Sequence, residues 1–70
     1  MNVSAAVVDI AGDTERPEWQ ATRLAEFVFH LTDCSADQAL IAVSAPPGDE
    51  KLTNDEALAR VAAAIVSLRH

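Results

Sequence analysis

The sequence predicts an all-α fold: a small three-helix bundle preceded by a β-prone or mobile N-terminal arm. Three observations carry this. Apolar residues recur at the i, i+3, i+4, i+7 spacing of a helix face in several segments. Two of those segments open on a capping box. The only β-prone stretch, residues 1–10, has no second strand in the chain to pair with. Turn residues at Gly12-Asp13-Thr14, Asp33-Cys34-Ser35 and Pro46-Pro47-Gly48-Asp49 divide the 70 residues into an arm, residues 1–13, and a helical domain, residues 14–70.

The arm is rich in Val and Ile, which favour pleated geometry. It is expected to be a free tail or a strand that pairs with another chain. The first helix is expected from Glu15 to Leu31. Thr14 is its expected N-cap, and Glu15 and Glu18 lie in the first turn, where the helix dipole favours anions. Pro17 is tolerated because it falls in that turn. Leu24, Phe27, Val28 and Leu31 form its stripe. The second helix, Ala36 to Ser44, follows the capping box of Ser35 and Gln38, carries Ala36, Ala39, Leu40 and Val43 on one face, and stops before Pro46 and Pro47. The third, Asn54 to Leu68, follows the capping box of Thr53 and Glu56. Its stripe is Leu58, Val61, Ala62, Ile65 and Leu68. Glu56 and Arg60 form an i,i+4 pair, and Arg69 and His70 sit at the negative helix end.

Composition narrows the function. Half the residues are hydrophobic and the formal net charge is −6. The five cations, Arg16, Arg23, Lys51, Arg60 and Arg69, are scattered and outnumbered by eleven carboxylates. Nucleic-acid binding needs a basic stripe to neutralise phosphates, so this balance argues against it. The apolar runs are too short to span a membrane. The first ten residues lack the basic start of a signal peptide. A soluble cytoplasmic protein is expected, consistent with one unpaired thiol, Cys34.

No residues assemble into a catalytic or metal site, and no cofactor is expected. His30, Asp33 and Cys34 are close in sequence, but a zinc site needs about four ligands at set spacing. Asp33 beside Cys34 disfavours a thiolate nucleophile. Cys34 is expected as a small hydrophobe under the turn and His30 as a surface residue. Asp49-Glu50 and Asp55-Glu56 lack the spacing and glycine of a calcium loop. Phosphate-binding glycine loops and nucleophile elbows are absent.

The distinctive feature is the back of the first helix. With about 100° per residue and Leu24 at zero, Trp19 falls at about 220° and Phe29 at about 140°. Both point away from the expected core stripe, in the company of Arg23, Glu26 and His30. Aromatic residues bordered by polar groups are typical interface hot spots. Trp19, Arg23, Glu26, Phe29 and His30 are therefore the candidate partner-binding residues. The alternative is that the aromatics wrap around the bundle edge, or that Trp19 packs under the arm.

The stretches Cys34-Ser35-Ala36-Asp37-Gln38-Ala39-Leu40 and Leu58-Ala59-Arg60-Val61-Ala62-Ala63-Ala64-Ile65-Val66 resemble the RNA-binding ANTAR module of bacterial antitermination regulators. That resemblance implies a three-helix unit over residues 22–68 that binds RNA. The sequence departs from it at Glu26 and Phe27, where the family has lysine and glycine, and at Pro46-Pro47-Gly48-Asp49-Glu50, where basic residues belong. The same stretch also looks like a ubiquitin-associated-type fold, with Asp33 in place of that fold's first-loop glycine. No site residue follows from either.

The reading is thus a non-enzymatic interaction module that binds a protein partner or itself as a homodimer. An RNA-binding regulator and an accessory subunit of an enzyme are the alternatives. Self-association is expected because a thin core of Ala and short aliphatics leaves a 70-residue chain marginal. Its two candidate surfaces are the Trp19/Phe29 side and the arm around Val7-Val8.

Overall fold

A computed structural model describes residues 2–43 and 51–69. Among them are four helices and no strand: α1 Val3–Asp13, α2 Pro17–Leu31, α3 Ala36–Val43 and α4 Asn54–Leu68. Each helix packs on its neighbour in the chain, α4 closes back onto α1, and α2 also touches α4 across the middle. The all-α expectation holds; the three-helix count and the arm do not.

The arm is α1. Asn2 caps it, its side chain accepting from the Ala5 N–H at 3.2 Å. Val7 and Ala11, four residues apart, are buried, and Ile10 packs beside them. That spacing places an apolar stripe on α4 and α2, and tertiary burial overrides the strand preference of Val and Ile. Val7 is wholly inside its own chain. Pairing of the Val7-Val8 segment as a strand with another chain is therefore ruled out in this fold.

Adding α1 also turns the later helices. The buried line of α4 is Ala57, Val61 and Ala64, with Leu58, Ile65 and Leu68 at its edge. Ala62, expected inside, is exposed. An α4 flanked by α1 as well as α3 must present its small residues centrally, where helices approach closely. On α3, Ala39 and Val43 are buried, whereas Ala36 and Leu40 are exposed. On α2, Leu24, Ala25 and Val28 are buried, and Phe27 and Leu31 are only partly so.

Both capping boxes form. Gln38 N–H donates to Ser35 Oγ at 3.1 Å and Ser35 N–H to Gln38 Oε1 at 3.0 Å. Glu56 N–H donates to Thr53 Oγ1 at 3.1 Å and Thr53 N–H to Glu56 Oε1 at 2.9 Å. Thr14, expected as an N-cap, is instead the C-cap of α1; the N-cap of α2 is Arg16, with no side-chain bond. Pro17 takes the first helical position, where its missing N–H costs nothing. The proposed ends at Ser44 and Pro46-Pro47 lie outside the described residues, as does His70.

Three of the helices, α1, α2 and α4, end without glycine caps. The last carbonyls of a helix lack internal donors, and here side chains supply them. The hydroxyls of Thr14 and Thr32 reach back four residues to the carbonyls of Ile10 and Val28. Arg60 of α4 donates to the Val43 carbonyl at the end of α3, at 3.4 Å. Gln20, 1% exposed, donates to the Ala11 carbonyl of α1 at 3.2 Å.

The same Gln20 amide also grips the approach to α4. It donates to the Leu52 carbonyl at 3.1 Å and accepts from the Leu52 N–H at 2.8 Å. One buried side chain thus satisfies three backbone groups on two other segments. Among the described residues no buried side-chain polar atom lacks a partner.

Removing that amide strands three backbone groups, at about 1–3 kcal/mol for each one left dry. Gln20→Ala is expected to cost about 3 kcal/mol, water relieving part of the loss, as read by denaturant unfolding. Gln20→Leu should not recover it, because apolar bulk supplies no hydrogen bond. Gln20→Glu places a carboxylate against two carbonyl oxygens. Its folded pKa must then lie above its unfolded one. That variant should be more stable near pH 4 than near pH 7, losing stability as pH rises past about 4.3. A Gln20→Ala midpoint equal to wild type would contradict the role.

Glu56 gives the opposite pH dependence. The Thr53 backbone N–H, then its hydroxyl and the charge of Arg60, hold its carboxyl below the ordinary 4.5, against slight desolvation. A depressed folded pKa contributes stability above pH 4.5 that fades as pH falls through the folded value. Glu56→Gln keeps an acceptor but no charge, so melting temperature should fall less steeply with acid than in wild type. An identical acid limb would show that Glu56 contributes nothing to it.

Candidate interaction face on α2 and α3

All five candidate residues, Trp19, Arg23, Glu26, Phe29 and His30, are exposed on α2. Trp19 is 53% exposed and Phe29 40%. Trp19 does not pack under the N-terminal segment as one alternative had it. Its ring instead lies under the guanidinium of Arg16, 5.3 Å from centroid to carbon. Phe29 meets the His30 ring edge-on at 5.6 Å.

The structure gathers three of the five around one groove of about 370 Å³ between α2 and α3. Glu26, Phe29 and His30 line it from α2; Asp37 and Leu40 line it from α3. The exposed Thr22 and the buried Ala25 also line it. Short side chains at these two positions open the groove. Trp19 and Arg23 border a separate depression of about 510 Å³ with Asp13 and Glu15 at the α1–α2 corner. A third, of about 440 Å³, lies among Glu18, Ala21, Leu40 and Ile41. Thr22 borders all three, so they form one continuous face.

Sequence reasoning missed the α3 half of this face. Leu40 is 41% exposed and Ile41 75%. A signal was present: Ala39-Leu40-Ile41-Ala42-Val43 is five apolar residues in a row in an eight-residue helix. One face of such a helix cannot bury all five.

The electrostatics are one-sided. Arg23 Nη1 sits 3.1 Å from Asp13 Oδ2, and Arg16 Nε 3.4 Å from Glu18 Oε1. Both cations of the face are thereby engaged with carboxylates. Glu15, Glu26 and Asp37 have no ion-pair partner among the described residues. The face is an apolar strip rimmed by unmatched negative charge.

The residues weighed for chemistry lie elsewhere or apart. Cys34 is half-buried against the core, with its Sγ 3.0 Å from Thr32 Oγ1. Among the described residues no three His, Cys, Asp or Glu side chains gather as a metal site would require. No described helix is long and apolar enough to cross a membrane. No protein-family model, curated protein or solved structure matches this chain.

Proposed function

We propose that this chain is a non-enzymatic protein-interaction module that binds through the α2–α3 face. The observation that carries the reading is the exposed strip of Phe29, Leu40 and Ile41 beside an open groove. Contiguous apolar surface rimmed by polar groups marks interaction sites, because leaving it in water is unfavourable. The core does not need these residues: among the described residues ten other hydrophobics are buried without them. Trp19 adds a large rigid side chain of the type that anchors interfaces. Nucleic acid fits the face poorly. Phosphates would meet Glu15, Glu26 and Asp37 and find the nearby arginines already paired.

Site-directed photocross-linking tests this. A photoreactive phenylalanine analogue at Ile41 should form a covalent adduct with a protein in the native cell. The same analogue at Ala63, exposed on α4 and outside the face, should not. The adduct should vanish when Leu40→Gln is added. Equal adducts at both positions, or none at Ile41, would defeat the proposal.

A further inference from the structure

Three features invite a ligand: the α2–α3 groove, the depression beside Trp19, and the half-buried Cys34 next to Thr32. The cysteine is a lone thiol and carries nothing alone. The other two share Thr22 and belong to one surface, so the question is what covers it.

A second copy of the chain is the simplest occupant, but charge opposes it. A two-fold axis through the face would bring the same rim against itself. A carboxylate near the axis would face its own counterpart, and Glu15, Glu26 or Asp37 off the axis would meet another part of the same acidic rim. The nearby cations, Arg16 and Arg23, are engaged within the chain at 3.4 and 3.1 Å. Like charges placed across an interface suppress the pairing.

Resting on the protein-interaction reading above, we infer that the face receives a cationic amphipathic helix from a different protein. Shape and charge agree on this occupant. The groove between α2 and α3 runs beside Phe29 and Leu40, and Ile41 continues its apolar wall. A helix laid along it would insert residues spaced i, i+3, i+4 and i+7. Lys or Arg on the flanks of that helix would meet Glu26 and Asp37 on one stretch and Glu15 at the α1–α2 corner. The overall charge of −6 adds long-range attraction for such a partner.

The probe is a Leu/Lys peptide of about 14 residues with leucine at helical spacing, long enough to run about 21 Å when helical. Two controls accompany it: the same composition scrambled out of helical spacing, and the patterned peptide with Glu in place of Lys. Binding is followed by the emission of Trp19 and by amide chemical shifts of the labelled full chain. The patterned cationic peptide should bind with Kd on the order of 10 µM and shift residues of α2 and α3. The scramble and the anionic peptide should each bind at least about tenfold more weakly.

Two substitutions keep the test specific. Leu40→Gln with Ile41→Gln removes apolar surface without changing charge and should weaken binding at least about tenfold. Glu26→Gln with Asp37→Asn should weaken it and flatten its salt dependence. Val66→Gln, at an exposed position outside the face, should change nothing. Thermal melts confirm that each variant is folded. Equal binding of the scramble, or shifts confined to other helices, would overturn the inference. So would a concentration-dependent dimer that Ile41→Gln dissolves, since the occupant would then be a second copy. A cross-link at Ile41 without any peptide binding would leave the interaction face standing and dispose of the cationic helix.

Discussion

The fold depends on one buried amide. Gln20 lies in the first turns of α2, yet its bonds go to the end of α1 and to the residue before Thr53, the cap of α4. Its pairing with both backbone groups of Leu52 imitates one rung of a sheet, made by a side chain. A buried glutamine needs this arrangement, because its amide carries both donor and acceptor atoms and burying them unpaired is costly. With the bonds made, α1 and α4 are held against α2 with defined registers. Among the described residues the fully enclosed core is Leu24, four valines and five alanines, and such small side chains specify registers more weakly than large ones.

The same economy governs the helix ends. Glycine commonly closes a helix by taking a left-handed turn. Here Thr14 and Thr32 close α1 and α2 in extended backbone conformations while their hydroxyls serve carbonyls one turn back. Arg60 does the equivalent for α3 from a different helix. The Gln20 and Arg60 bonds tie the ends of α1 and α3 to other helices. They couple helix termination to tertiary packing, so local and long-range structure support one another.

The legible parts of the sequence were those with local causes. Ser35-Gln38 and Thr53-Glu56 announce helix starts because a cap needs only residues three apart. The outward direction of Trp19 and Phe29 followed from the wheel of α2 alone. Propensity alone misleads for the arm, where Val and Ile read as strand formers. The spacing of Val7, Ile10 and Ala11 at i, i+3, i+4 carried the opposite message, with Asn2 as its cap. That error spread, since a missing fourth helix misplaces the buried line of α4 and turns Ala62 inward. The exposure of Leu40 escapes a local reading for a similar reason: a wheel gives the apolar side of α3 but not its centre, which Ala39 and Val43 occupy. Nothing local in Gln20 reveals that it is buried, because its partners Ala11 and Leu52 lie 9 and 32 residues away.

This packing also explains why the α2–α3 face is open. The N-terminal helix covers α4 and α2 from one side and makes no contact with α3. Leu40 and Ile41 are left outside, and Glu26 and Asp37 set the sign of the rim. The exposure of the α2–α3 face thus goes with α1 being docked on α2 and α4 through Gln20. Native-state hydrogen exchange tests that claim most directly, by comparing the amides of Val7, Ala11 and Leu52 with those of Val61 and Ala64. The account predicts that Leu52 and the α1 amides exchange as slowly as the α4 amides, all through global unfolding. Free exchange at Val7, Ala11 and Leu52 beside a protected α4 would contradict it.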